Sequence, residues 1–185
     1  MQRLLPQSTA LLVIDVQERL APAMEPKAYE RLLRSLDVLL SAAQLLQVPT
    51  AATEQYPKGL GDTVEPVRAL LDGLKVQRIA KTAFSACDAP DVARWLGTVA
   101  PRAVVVVGVE SHVCVFQTVR ELAARGIDVH VPHDAVASRR DDDKQIALDL
   151  MRRAGATITT TETVVFDWLQ KAEGDAFKAL SKKIR

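Results

Sequence analysis

Three side chains of different chemistry stand at matching places in this sequence. Asp15 closes the apolar run Thr9 to Ile14, Lys81 follows Ile79 and Ala80, and Cys114 follows the run Ala103 to Val107 after a glycine, Gly108. A carboxylate, an ammonium and a thiol are the parts of a nucleophilic site. A thiol attacks only as thiolate, a neighbouring lysine lowers its pKa, and a carboxylate accepts the thiol proton and later activates water. Cys114 is expected in the first turn of a helix, where N–H groups and the helix dipole favour negative charge. Gly108 permits a sharp strand-to-helix turn whose N–H groups can face a developing oxyanion. Taken singly, Cys114 is also a small buried hydrophobe, Asp15 a turn residue and Lys81 a solvated strand end. Their joint placement at strand ends singles them out.

The elements that must position them follow from the apolar pattern. Strands are expected over Thr9 to Ile14, Pro49 to Thr53, Lys75 to Ala80, Ala103 to Val107, Ile127 to Val131 and Ala156 to Thr160. Helical spacing runs over Tyr29 to Gln47, Val64 to Leu71, Pro90 to Leu96, Val113 to Arg125 and Asp141 to Ala154, with two short helices after that. Glu54 to Asp62 reads as a loop. Most strands are continuous apolar runs, which marks strands covered on both faces. Helix, glycine, strand recurs at Gly126 and Gly155, the signal of parallel βαβ units. The expected fold is a three-layer αβα sandwich, Rossmann-like, with a doubly wound, mostly parallel sheet of about six strands. Such sheets hold their crevice at the carboxyl ends of the strands, so Gln17, Glu54, Gln55, Tyr56, His133 and Asp134 join the residues to examine.

The 185 residues fit one domain, 1–185. With 48% hydrophobic and 25% charged residues, the composition is that of a globular protein and excludes disorder and fibres. A formal net charge of +1 and 4% aromatics offer no case for nucleic acid or an anionic membrane. No apolar run approaches a membrane span, and Ala10 to Ile14 is too short for a signal-peptide core. Two cysteines make no disulfide framework, so a reduced, cytoplasmic setting is the default, and Cys87 is read as structural. The three histidines, His112, His130 and His133, show no ligand spacing, and Asp128-Val129-His130 reads as the solvated face of a strand, so no metal is expected. No Gly-rich phosphate or dinucleotide fingerprint occurs, and no cofactor is called for.

Three separated motifs, in order, resemble the isochorismatase-like cysteine hydrolases. Ala10-Leu11-Leu12-Val13-Ile14-Asp15-Val16-Gln17 is similar to the opening strand of that superfamily, Lys81 before Thr82-Ala83-Phe84 to its lysine position, and Val107-Gly108-Val109-Glu110-Ser111-His112-Val113-Cys114-Val115 to its nucleophile turn. The segments Thr53 to Gly61 and Asp134 to Arg139 resemble the isochorismatase domain-containing branch most. The resemblance implies a catalytic triad Asp15–Lys81–Cys114, a cis peptide between Val109 and Glu110, and an oxyanion hole from the backbone N–H groups of Glu110 and Cys114. It also implies attack of the Cys114 thiolate on an amide or related carbonyl, a thioester acyl-enzyme and release of the acid by water. Nicotinamidases carry an Asp-x-His metal motif after the second strand, where this chain has Glu54-Gln55-Tyr56. True isochorismatases lack the nucleophilic cysteine. Both subfamily activities are therefore disfavoured.

The expected function is a cysteine hydrolase, amidase-like, that cleaves a small amide or carbamoyl-type C–N bond. Gln17, Gln55, Tyr56, Phe84 and His112 are candidate pocket residues, and Glu110 either faces substrate or supplies only backbone. The expected partners are a small-molecule substrate and further copies of the chain, with no nucleic acid and no membrane. Trp95, Phe166, Trp168, Phe177 and Leu180 either form a homo-oligomer interface or pack terminal helices on the sheet. The alternatives are a non-catalytic or moonlighting homo-oligomeric scaffold that keeps the triad geometry, and a redox-responsive protein using Cys87 and Cys114.

Overall fold

The run Thr9–Ile14 forms β1, and every residue of it is buried. A strand buried on both faces must lie inside a sheet that carries helices on both sides. The computed structural model, which describes residues 3–184, has that arrangement. The remaining strands are β2 (Thr50–Gln55), β3 (Arg78–Lys81), β4 (Ala103–Val109), β5 (Asp128–Pro132), β6 (Val136–Ala137) and β7 (Thr157–Thr159). The sheet order is β3-β2-β1-β4-β5-β7, β6 pairs with β4, and all pairings are parallel. The expected sheet is thus present with one strand more, the two-residue β6.

Alternate residues of the central strands feed two cores. Leu11, Val13, Val105 and Val107 face α1 (Pro26–Leu46), α3 (Glu65–Gly73), α7 (Thr161–Leu169) and α8 (Gly174–Ile184). Ala10, Leu12, Val104 and Val106 face α4 (Pro90–Val99), α5 (Phe116–Ala124) and α6 (Asp141–Arg153). A one-turn helix, α2 (Pro57–Leu60), follows β2 inside the stretch expected as loop.

Several boundaries move for local reasons. α1 starts at Pro26 rather than Tyr29, because the Glu25 carboxylate accepts from the N–H groups of Lys27 and Ala28 and so caps the helix. β4 runs through Gly108 to Val109, since residues 108 and 109 pair with β6. Trp168 and Leu180 are about 1% exposed and pack with α1 residues in the core, so these two hold the terminal helices and form no interface. Phe166, 40% exposed, meets Phe177 with ring centroids 6.4 Å apart. His130 is buried, with Nε2 3.2 Å from Asp128 Oδ1, which corrects the expected solvated face. Among the described residues no helix is long and apolar enough to cross a membrane.

Candidate active site

The register Ile14↔Thr53 and Ile14↔Gly108 brings the ends of β1, β2 and β4 side by side. Gly108 sits at φ 118°, and a Cβ there would overlap the Ile14 carbonyl oxygen. Only glycine lets β4 approach β1 this closely. The chain continues through a cis peptide between Val109 and Glu110. Ser111–Val115 then forms a single π-type turn that leads into α5. Cys114 lies in that turn and not in the first turn of an α-helix, as its spacing had suggested.

Asp15, at the end of β1, is fully buried with φ 50°. Both of its carboxylate oxygens are engaged: Oδ1 accepts from Thr53 Oγ1 at 2.7 Å, and Oδ2 accepts from Lys81 Nζ at 2.7 Å. The Lys81 ammonium, itself 5% exposed, also donates to Gln55 Oε1 at 2.7 Å and faces the carbonyl oxygens of Ala83 and Phe84 at 3.2 and 3.1 Å. A buried charge needs such a shell of acceptors.

The Cys114 thiol is buried beside this pair, and both charges bear on it. Burial comes first and the Asp15 carboxylate second in pushing its pKa up, to about 12, with Lys81 opposing. The sequence had suggested the reverse, a thiol lowered by lysine and helix dipole. The apolar surroundings and the adjacent carboxylate outweigh the lysine, and the resting thiol is neutral.

The structure separates the candidate pocket residues. Gln17 is fully buried, its Nε2 donating to the Gln55 and Gly61 carbonyls and its Oε1 accepting from Gln55 N–H. It staples two loops and presents nothing to a ligand. Gln55 holds Lys81 and donates to the Thr82 carbonyl, so it belongs to the lysine's setting. Tyr56 and Phe84, each 54% exposed, are the large apolar side chains by the lysine. His112 Nδ1 lies 3.0 Å from Ser138 Oγ. The Glu110 carboxylate accepts from Arg139 Nε at 2.9 Å, and its backbone N–H makes no hydrogen bond among the described residues. Glu54 is taken up by the backbone and hydroxyl of Thr63, and Asp134 by Ser35 and the Thr161 N–H.

A pocket of about 450 Å³ is lined by Tyr56, Lys58, Lys81, Ala83 and Asp88, and of the trio only Lys81 reaches its wall. A larger groove of about 1020 Å³ lies beside β2 and β3 near Gln47, Val76 and Trp95, and contains none of the trio. Cys87 and Cys114 are both free thiols, and no group of three or more metal-ligating side chains converges among the described residues. Thr53, whose hydroxyl holds the Asp15 carboxylate, has no mark in the sequence pattern beyond its place at the end of an apolar run.

The chain is thus an α/β sandwich whose parallel sheet carries a buried acid–lysine pair and a thiol at its carboxyl edge. The isochorismatase domain model matches residues 9–163, and the chain belongs to the isochorismatase family. The secreted isochorismatase effector Isc1 of Phytophthora sojae is 38% identical over 99% of this chain and 87% of its own length. Isochorismatase domain-containing protein 1 of Salmo salar is 36% identical over 98% of this chain, which spans 62% of that relative's length. Among solved structures, the MAR1 ribonuclease of Caenorhabditis elegans superposes with a TM-score of 0.89 at 37% identity, covering 99% of this chain and 92% of that one. The YcaC gene product of Escherichia coli, an octameric hydrolase of unknown specificity, shares the fold with a TM-score of 0.89 at 23% identity, covering 98% and 90%.

Proposed function

We propose that the protein is a cysteine hydrolase that cleaves a small amide or carbamoyl-type C–N bond through a thioester. The observation that carries this reading is the buried Lys81–Asp15 ion pair set against the Cys114 thiol. Burial and the Asp15 carboxylate push the thiol pKa up to about 12, so the thiol carries its proton before attack. The proton must therefore leave during attack. Cys114 sulfur bonds to the substrate carbonyl carbon while Asp15 takes the thiol proton. The oxyanion is met by the free Glu110 N–H together with the Cys114 N–H. The C–N bond then breaks, Asp15 returns the proton to the leaving amine, and a thioester remains. Water attacks the thioester, Asp15 accepts a water proton, the acid departs, and the thiol is restored with that proton. Lys81, 2.7 Å from Oδ2, holds the Asp15 carboxyl group in place through these steps.

Glu54-Gln55-Tyr56 offers no Asp-x-His ligand set, and Cys114 stands where isochorismatases lack a nucleophile, so neither of those activities is our reading. The proposed partners are a small-molecule substrate and further copies of the chain, without nucleic acid. The site's lysine is buried under its ion pair, and the net charge is +1. We place the enzyme in a reducing compartment, the cytoplasm, on its two free thiols. Self-association is supported by Ile146 and Leu150, 59% and 40% exposed one turn apart on α6, and by the octameric fold neighbour.

The test is ammonia or amine release from a panel of small amides and N-carbamoyl compounds, with single-stranded RNA as a further substrate. Intact mass reads the acyl-enzyme. Turnover of an amide with a mass adduct on Cys114, lost in Cys114→Ala, is the expected result. RNA cleavage alone, or an inert protein whose self-association survives Cys114→Ala, would replace this reading with a nuclease or a scaffold.

A further inference from the structure

The carbonyls that face the Lys81 ammonium belong to the segment after β3, and that segment is fastened to α5. Ala86 N–H donates to Thr118 Oγ1 at 2.9 Å, and Thr118 Oγ1 donates to the Cys114 carbonyl at 2.7 Å. Next to it, Ser85 Oγ donates to Glu121 Oε2 at 2.8 Å. Thr118 has no exposure and Ser85 about 1%. In the sheet, β3 and β4 are separated by β2 and β1, so their ends stand roughly 14 Å apart at ordinary strand spacing. No strand ladder sets the Lys81 segment against the Cys114 turn.

We infer that Thr118 is a positioning residue that holds the Lys81 cradle and the Cys114 turn in register through one hydroxyl. A hydroxyl has one proton and two lone pairs. Thr118 gives the proton to the turn that bears the thiol and a lone pair to the segment that cradles the ammonium. Valine has the same shape and can do neither, whereas serine can do both. Glu121 supports the same segment one residue earlier, through Ser85. The functional meaning of this clamp rests on the hydrolase reading, but its geometry does not.

The test is the pH dependence of Cys114 alkylation by iodoacetamide, read peptide by peptide by mass spectrometry, without substrate. Thr118→Ser should overlay the wild type. Thr118→Val should shift in the same direction as Lys81→Ala, labelling roughly three- to tenfold more slowly at a fixed pH below the thiol's titration. In the double variant it should add little to Lys81→Ala, as expected of residues acting through one interaction. A role in stability alone would lower Tm and leave the labelling profile in place. If Thr118→Val does not fold, Glu121→Ala loosens the same segment from a half-buried position and should shift the profile likewise. A folded Thr118→Val or Glu121→Ala with the wild-type profile overturns the inference. Alkylation needs no turnover, so a wild-type protein that hydrolyses nothing would overturn the hydrolase reading and leave this result standing.

Discussion

Lys81 Nζ and Asp15 Oδ2 meet at 2.7 Å with their side chains 1% and 0% exposed, joining the ends of two strands that are not neighbours in the sheet. Breaking one partner of such a pair leaves an uncompensated buried charge, a far larger loss than that of a surface ion pair. The pair also sets the chemistry of the thiol, in opposite senses for its two members.

Asp15→Asn removes the charge that raises the Cys114 pKa, and Lys81→Ala removes the charge that lowers it. Alkylation of Cys114 at pH 8 should become faster in Asp15→Asn, by roughly tenfold, and slower in Lys81→Ala. Turnover should vanish in both. Peptide-level labelling rates measured beside steady-state activity check this. Labelling and turnover that rise or fall together in Asp15→Asn would contradict the assigned base.

Stability should fall as pH rises above about 9. The unfolded chain releases the Cys114 proton near the ordinary thiol value, while the folded chain keeps it to about 12. Between those values the folded state binds more protons than the unfolded one, so each step up in pH favours unfolding. Burial raises Cys87 in the same direction. Denaturant titrations from pH 8 to 11 should therefore show a downward slope that is reduced, though not removed, in Cys114→Ala.

Gly108→Ala should lose the folded state or most of its thermal stability. Its Cβ meets the Ile14 carbonyl, which is backbone and cannot step aside. Gly126→Ala provides the control, because Gly126 has φ 77° and nothing within 4 Å of the added carbon. There the expected cost is about 1–2 kcal/mol, that of a left-handed alanine. Thermal melts of the two variants decide the matter.

Gln17→Leu should destabilise by about 2–4 kcal/mol, because it strands the Gln55 N–H and two carbonyls that the amide satisfied. Gln55 in turn holds Lys81. Chemical denaturation reads the loss. Activity per folded molecule should fall as well, because the Gln55 segment loses its anchor.

The sheet was legible because its strands are runs of one kind. Thr9–Ile14 is bounded by Thr9 and Asp15 in the sequence and in the structure alike. Val136–Ala137 was not legible, since two residues form a strand only through pairing with Gly108 and Val109. Asp15, Lys81 and Cys114 could be marked because each follows an apolar run. What surrounds them could not, because backbone supplies much of it: the carbonyls of Ala83 and Phe84 carry no mark in residue identity. Gln17 and Gln55 read from the sequence as polar crevice residues, yet their partners turn one into a staple and the other into a support for the lysine. The direction of the thiol's pKa depends on burial, which spacing does not contain.

The central place of β1 bears on how the chain is made. Its partners are β2 and β4, and Ala103 emerges about 90 residues after Ile14, which at roughly 5–20 residues per second is a wait of about 5–20 s during synthesis. For that time Thr9–Ile14, apolar on both faces, has one flank unpaired. This central strand is therefore exposed to mispairing on the ribosome while β4 is awaited, and it is a nascent segment on which a chaperone's protection would bear.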